Sequence, residues 1–244
     1  MHIDSERRYR HLDDRHRRWA IALVTGLLCL AVGHEGHAHG VDDNTRAFLE
    51  GSTGVHVGPF LYIGARHMLT GYDHLLFLVG VLFFLFRARD VFVYVTLFTV
   101  GHSLTLLFGV LANIGANAWL IDAIIGLSVV YKGFDNLGGF QRVFDRQPDT
   151  RLAVLIFGLF HGFGLATRLQ AFGLPEEGLL SNLIAFNVGV ELGQLAALII
   201  ILLALNVLRL LPSFQRIAVV TNTLLMSAGM MLVGYQLTGF FNYA

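Results

Sequence analysis

The sequence predicts an all-α, polytopic helical membrane bundle of about six transmembrane helices, preceded by an N-terminal signal peptide or signal-anchor helix. Hydrophobic residues make up 55% of the 244 residues and charged residues only 14%. The mean hydropathy is +0.63, and apolar blocks long enough to cross hydrocarbon extend from about Phe60 to Phe241. The formal net charge is zero, so charge gives no indication of nucleic acid as a partner, and the expected surrounding is a lipid bilayer.

The first 40 residues have the pattern of a leader. Residues 1–18 are polar and rich in arginine, and an apolar run follows from Trp19 to Val32. This is typical of a Sec-type signal peptide, because the run is short for a membrane span; the alternative is an uncleaved N-terminal helix. We therefore divide the chain into a leader with a histidine-rich stretch (1–40), a periplasmic segment (41–59) and a six-helix transmembrane domain (60–244).

The histidine-rich stretch HEGHAHG occupies residues 34–40. Such tracts are typical of metal-collecting tails. If the leader is cleaved near Gly33, the tract remains as a periplasmic tail, whereas cleavage after Gly40 removes it. The single cysteine, Cys29, allows no disulfide within one chain and excludes a thiolate-rich copper or zinc site.

The six predicted spans have their basic residues in alternate loops. We place the spans near 60–86, 91–112, 118–135, 152–169, 179–208 and 215–241. The positive-inside rule then puts 87–90, 136–151 and 209–216 in the cytoplasm. This predicts a protein of the bacterial inner membrane with the N-terminus of the mature chain in the periplasm. Gly64, Thr70 and Gly71 interrupt the first span, so we expect it to be broken or re-entrant.

Ionisable side chains occur inside the predicted spans, where burial is costly and usually marks a site. The first span reads GARHMLTGYDHLLFL. Its His67 and His74 are seven residues apart and share a helix face. Asp73 is adjacent and suited to orient a histidine. In the second span Thr99, His102 and Ser103 share a face.

The fourth and fifth spans add further polar residues beside small ones. His161 lies in the fourth span between the pair Gly158 and Gly162, whose spacing favours close approach of a neighbouring helix. Asn187, Glu191 and Gln194 line one face of the fifth span, with Gly189 and Gly193 on the opposite side. The third span contributes Asp122 near its periplasmic end.

Four histidines and at least two acids therefore come from four spans. Imidazole and carboxylate suit zinc, nickel, cobalt, iron or manganese. Taken singly, each histidine is better explained as a hydrogen-bonded packing residue, but together they predict a divalent transition-metal site inside the membrane. Thr99, Ser103, Asn187, Gln194 and Asp122 are the candidate supporting polar residues.

Four motifs resemble the HupE/UreJ family, and its second branch more closely. They are GARHMLTGYDHLLFL, FTVGHSLTL, FGLFHGFGLA and NVGVELGQL, in family order over about residues 60–195. The resemblance implies a signal peptide, six or so spans and a metal site, and membership among hydrogenase and urease accessory proteins regarded as nickel permeases. It assigns ligand-like roles to His67, Asp73, His74, His102, His161 and Glu191. The sequence differs from the best-known nickel permease pattern because Met68, not proline, follows His67.

The expected function is a membrane permease or metal-binding accessory protein for nickel, cobalt or zinc, with iron also compatible. A metalloenzyme maturation protein is a candidate recipient of the metal. One alternative is an intramembrane metalloenzyme with Asp73 or Glu191 as general base, which we favour less because the sequence has no H-E-x-x-H motif. Another is a non-transporting metal- or heme-binding accessory protein. Covalent c-type heme is excluded because no CxxCH motif is present.

Overall fold

The structure, a computed structural model, describes residues 53–171 and 177–243 and contains only helices and loops in those ranges. The predicted leader with its histidine-rich stretch, and the segment from 41 to 52, lie outside the described residues. The helices in the described ranges are α1 (Val57–Thr70), α2 (Tyr72–Leu82), α3 (Ala88–Leu111), α4 (Ala118–Asn136), α5 (Gly139–Phe144), α6 (Thr150–Ala171), α7 (Leu179–Arg209) and α8 (Phe214–Tyr243).

The long helices pack mainly as three pairs: α1 with α7, α3 with α6, and α4 with α8. Helix α2 contacts α4, α7 and α8, and α4 also packs on α6. Phe77 of α2 also packs against Phe98 of α3 and Phe157 of α6, so α2 contacts all three pairs. The short α5 lies against α4 in the loop that follows it.

Glycines set the distance within the α1–α7 pair. A Cβ atom on Gly189 would collide with the carbonyl oxygen of Leu61, and one on Gly193 with that of Ala65. The two backbones are therefore in direct contact, which larger residues would prevent. Because the numbers rise together on both helices, α1 and α7 run parallel.

The α3–α6 pair has the same construction. A Cβ on Gly158 would collide with the carbonyl of Phe98, and one on Gly162 with the carbonyl of His102. The predicted close approach at this small-xxx-small pair is confirmed, and these two helices also run parallel. In the third pair Trp119 meets Gly239 while Gly133 meets Asn222, so α4 and α8 are antiparallel.

The helix break expected in the first predicted span is present. Helix α1 ends at Thr70 and α2 begins at Tyr72, with Gly71 in an extended conformation between them (φ −72°, ψ 100°). The Gly71 N–H still donates to the carbonyl of His67 over 2.9 Å. The break therefore lies between His67 and His74.

Four helices, α3, α6, α7 and α8, are long and apolar enough to cross a membrane. Helix α4 has 19 residues but carries Asp122, Lys132 and Asp135. Helices α1 and α2 are shorter, at 14 and 11 residues. The prediction of an all-α protein with long apolar helices is thus confirmed for the described ranges.

Candidate metal centre

Four helices bring the four predicted histidines together beside the break in the first span. The ring of His74, on α2, lies 5.1 Å from the ring of His67 on α1, centroid to centroid. It lies 5.9 Å from that of His102 on α3 and 4.7 Å from that of His161 on α6. His74, His102 and His161 are at most 1% exposed. These four residues are called the histidine cluster below.

The three spacings between the His74 ring and the other rings have the size expected for two imidazoles bound to one ion. A zinc–nitrogen bond of about 2 Å places ring centroids roughly 5 Å apart in a tetrahedral site. The rings meet edge to face, at interplanar angles of 77°, 74° and 78°. In the described part of the chain no three His, Cys, Asp or Glu side chains are already arranged to hold a metal ion. Binding one ion here would therefore require the rings to turn.

Asp73 fixes the orientation and tautomer of His74. Its Oδ1 accepts hydrogen bonds from the His74 backbone N–H over 2.8 Å and from the ring Nδ1 over 2.9 Å. Because a carboxylate accepts and does not donate, Nδ1 carries the proton and the lone pair is on Nε2. Metal-binding histidines commonly have this carboxylate partner. The structure places Asp73 beside His74 in the orienting position that the sequence suggests.

His161 has its tautomer fixed by the backbone. Its Nδ1 lies 2.7 Å from the carbonyl oxygen of Phe157, one helical turn earlier. A carbonyl accepts only, so Nδ1 donates and Nε2 carries the lone pair. The sequence gives no distinguishing signal for this bond, since every histidine within a helix has a carbonyl at that spacing.

His102 is the polar residue whose burial most needs an explanation. It is 1% exposed, and within the described residues neither of its buried ring nitrogens has a hydrogen-bond partner. Its ring lies over Phe98, with centroids 6.1 Å apart and planes at 27°. Leaving a buried polar group without a partner costs about 1–3 kcal/mol. A buried imidazole of this kind is a candidate to bind an ion or an ordered water.

Two hydrogen bonds connect α7 to the helix face that carries His102. Asn187 donates to the hydroxyl of Ser103 over 2.9 Å, and Thr99 donates to Gln194 over 3.0 Å. Thr99 precedes His102 by three residues, so both pairs lie on the polar face of α3. The structure therefore places these four supporting residues next to the cluster, where they hold α7 against α3.

Glu191, on α7, differs from the other predicted ligands in being exposed, although the sequence suggests that it faces the histidines. Four residues of helix turn the chain by about 400°, so Glu191 is roughly 40° around the helix from Asn187. Asn187 and Gln194 face α3, and Glu191 lies to one side of the strip that they form.

Asp122 lies inside the bundle, paired with Arg168, a residue near the end of the fourth predicted span to which the sequence assigned no role. It is 2% exposed and accepts a hydrogen bond from Arg168 on α6. Arg168 follows His161 by seven residues, which places both on one face of α6. That spacing is the signal that would have identified Arg168 as a bundle residue.

A small apolar cavity borders His74 on the side of the loop 83–87. Its volume is about 10 Å³, room for roughly one water molecule. Side chains of α2, α3 and α6 line it, among them Phe77, Phe98 and Val154. The cavity therefore lies between His74 and the ends of α2 and α3 that the loop 83–87 joins.

Comparison with known proteins identifies the family of the chain. The family model described as "HupE / UreJ protein" matches residues 43–244, which is most of the chain. No curated protein and no solved structure matches it. The family is associated with nickel or cobalt uptake or with accessory roles. The resemblance seen in the four motifs is thus confirmed, and the chain is a membrane protein that belongs to the HupE/UreJ family.

Proposed function

We propose that this protein is a permease for a divalent transition metal, nickel, cobalt or zinc, and that the histidine cluster is its binding site. The observation that carries the proposal is His102. Its two ring nitrogens are buried without hydrogen-bond partners in the described chain, and its ring is 5.9 Å from that of His74. An ion between these rings would satisfy a group that otherwise destabilises the fold.

The donor set suits reversible binding of a borderline metal. Imidazole nitrogen is a good ligand for nickel, cobalt and zinc. The Nε2 atoms of His74 and His161 carry their lone pairs, because their Nδ1 atoms bond Asp73 and the Phe157 carbonyl. Imidazoles are neutral ligands. A site of imidazoles with one carboxylate nearby therefore holds the ion less tightly than a site of thiolates or of several carboxylates would. A carrier needs such moderate affinity because it must release its cargo.

The helix break supports transport over catalysis. Substrate sites of many transporters lie where a spanning helix is interrupted in the membrane. Gly71 interrupts the helix between two members of the cluster, His67 and His74. Asp73 lies in the first turn of α2, where a negative charge offsets the positive helix terminus that would repel a cation.

We further propose six spans with the arginine-bearing loops in the cytoplasm of a bacterial inner membrane. Helices α1 and α2 would form one broken span. Six alternating crossings require the first and fifth spans to be parallel, the second and fourth parallel, and the third and sixth antiparallel. The directions of α1–α7, α3–α6 and α4–α8 agree with all three requirements. The N-terminus of the mature chain would then be periplasmic.

Metal content of the purified protein tests the binding site. The protein and its His102→Gln and His161→Gln variants would be purified in detergent, soaked with Ni²⁺, Co²⁺ or Zn²⁺, desalted and measured by plasma mass spectrometry. The matched control is His56→Gln, because His56 lies outside the cluster and contacts the Thr53 carbonyl. We expect the wild type and the control to retain metal and both cluster variants to lose it.

Uptake into proteoliposomes tests transport. A permease accumulates the bound metal inside vesicles, and the His102→Gln variant does not. Binding without uptake would instead identify a non-transporting accessory protein. A wild-type protein that retains none of the three metals would contradict the metal site altogether.

A further inference from the structure

Asp122 and Arg168 form an ion pair between α4 and α6, toward the end of α6 that follows His161. The Asp122 side chain is 1% exposed, whereas that of Arg168 is 24% exposed. The guanidinium donates to Asp122 Oδ2. Arg168 lies in the last turn of α6, so its side chain reaches water more readily than Asp122 does.

The pair lies on the same face of α6 as His161. Arg168 is seven residues beyond His161 on the same face of α6, a rise of about 10 Å. Gly164 stands between His161 and Arg168 in α6. A Cβ atom on Gly164 would be 3.6 Å from Asp122 Oδ1, so the Asp122 carboxylate lies at a level between the two residues. A cation moving along this face from the helix end meets Arg168, then Asp122, then His161.

The Asp122 carboxylate has one oxygen that takes no part in the ion pair. Asp122 Oδ1 is buried and has no hydrogen-bond partner among the described residues. If the ion pair only stabilised the packing of α4 on α6, we would expect both carboxylate oxygens to have partners. An unpaired buried acceptor reduces the stability that the ion pair contributes. A buried carboxylate with one unpaired oxygen is suited to accept a second, exchangeable cation.

We propose that Asp122 is the outer binding site for the divalent cation and that Arg168 is a displaceable counter-ion that closes the route while no cation is there. This rests on the proposed permease function. At equal distance a divalent cation attracts a carboxylate twice as strongly as a guanidinium does. It also repels the guanidinium, and a long arginine side chain near a membrane surface can extend into water. Binding of the cation to Asp122 thus separates Arg168 from Asp122 and opens the route.

The rate of cysteine labelling below the pair tests this closure. Ile125 is 1% exposed, faces Gly164 and lies one turn deeper than Asp122. Ile125→Cys would be introduced into the full chain after Cys29→Ser, which removes the only native cysteine. Detergent-purified protein would be labelled with a cationic and, separately, an anionic methanethiosulfonate reagent. Ala116→Cys, exposed in the loop 112–117, is the control for reagent reactivity.

Arg168→Gln should raise the labelling rate of Ile125→Cys about tenfold with both reagents, as expected when a closed state loses a charge-assisted hydrogen bond. Arg168→Lys keeps the positive charge and should label nearly as slowly as the parent. An acceleration with the cationic reagent alone would reflect only the changed local charge and would overturn the proposal. Unchanged rates with both reagents would overturn it as well.

Ni²⁺ added to the otherwise unmodified Ile125→Cys protein gives a second test that needs no change in the pair. Labelling should accelerate with Ni²⁺, and this acceleration should disappear in Asp122→Asn. If the protein binds Ni²⁺ but labelling does not accelerate, Asp122 is not the outer site, although the permease proposal stands. If the protein binds no metal while Arg168→Gln still opens the route with both reagents, the metal function fails and the closure by the pair is retained for another solute.

Discussion

The bundle contains two groups of buried polar side chains, and they are built in opposite ways. One is the histidine cluster. The other, here called the basic-end network, lies at the end with the arginine-bearing loops and comprises Lys132, Asp135, Asn136, Gln147 and Asn222. Lys132 and Gln147 each donate to Asp135 over 2.5 Å. Asn136 donates over 2.8 Å both to Asn222 and to the carbonyl of Gly80.

The two groups differ in how far the protein itself satisfies them. No buried side-chain nitrogen or oxygen of the basic-end network lacks a hydrogen-bond partner in the described part of the chain, whereas both ring nitrogens of His102 do. A complete network stabilises the packing of α2, α4 and α8. The unsatisfied nitrogens of His102 cost stability, and under the proposed function they are retained because they bind the metal. Substitutions should separate these two roles.

The largest effect on stability is expected for Lys132→Ala. Lys132 and Asp135 are 7% and 9% exposed, and removal of one partner from a buried pair costs about 3–5 kcal/mol because the other charge is left uncompensated. Thermal unfolding in detergent would show a lower Tm, while metal bound per folded protein stays the same. Arg142→Ala, at an exposed position, should leave Tm unchanged. An equal fall in both variants would contradict the structural role of the network.

His102→Leu should lower the metal affinity without lowering the stability of the protein. Leucine removes the unsatisfied nitrogens and retains apolar contact with Phe98, so the metal-free protein should be as stable as the wild type or more stable. Metal affinity, measured by competition with a chelator, should fall at least about a hundredfold, more than the loss of an outer partner of a ligand usually causes. Asn222→Leu is the matched change in the basic-end network and should lower Tm. A strong loss of stability in His102→Leu would indicate an ordinary packing residue.

Asp73→Asn should have a smaller effect, confined to metal affinity. The amide oxygen can still accept from His74 Nδ1 and from its backbone N–H, so the helix start and ring orientation are kept. Loss of the charge makes the imidazole a weaker ligand, and affinity should fall about tenfold, as for other outer partners of metal-bound histidines. Asp90→Asn, at the start of α3, serves as the control. Unchanged affinity would show that the charge of Asp73 has no part in binding.

The helices and the break at Gly71 were predictable because their signals are local. Apolar length and glycine spacing lie within single segments, and α3, α6, α7 and α8 begin and end within a few residues of the predicted spans. The histidines were also predictable as a group, since an ionisable residue in an apolar helix faces the interior. The partners of these residues depend on which helices are neighbours. Periodicity does not specify this, so the Asp122–Arg168 pair was missed.

Glu191 shows this limit most clearly. Its spacing from Asn187 and Gln194 predicts that all three residues share a face of α7. The hydrogen bonds to α3, however, come from Asn187 and Gln194. A rotation of roughly 40° separates an interior position from an exposed one on a helix. The direction from which the neighbouring helix approaches decides between them, and the sequence of α7 alone does not contain that direction.

Glu191→Gln should therefore have the smallest effect on metal binding. The residue is exposed and lies outside the cluster, so affinity in detergent, measured by the same chelator competition, should change by less than about twofold, within the range of most surface substitutions. Gln194→Leu, which breaks the bond to Thr99 beside the cluster, is the informative contrast and should weaken binding more. If Glu191→Gln lost the metal, Glu191 would have to reach the histidines in another state of the protein. A rotation of α7 that exchanges Glu191 for Gln194 at the α3 interface would be the first movement to examine, because both residues lie on adjoining strips of the same helix.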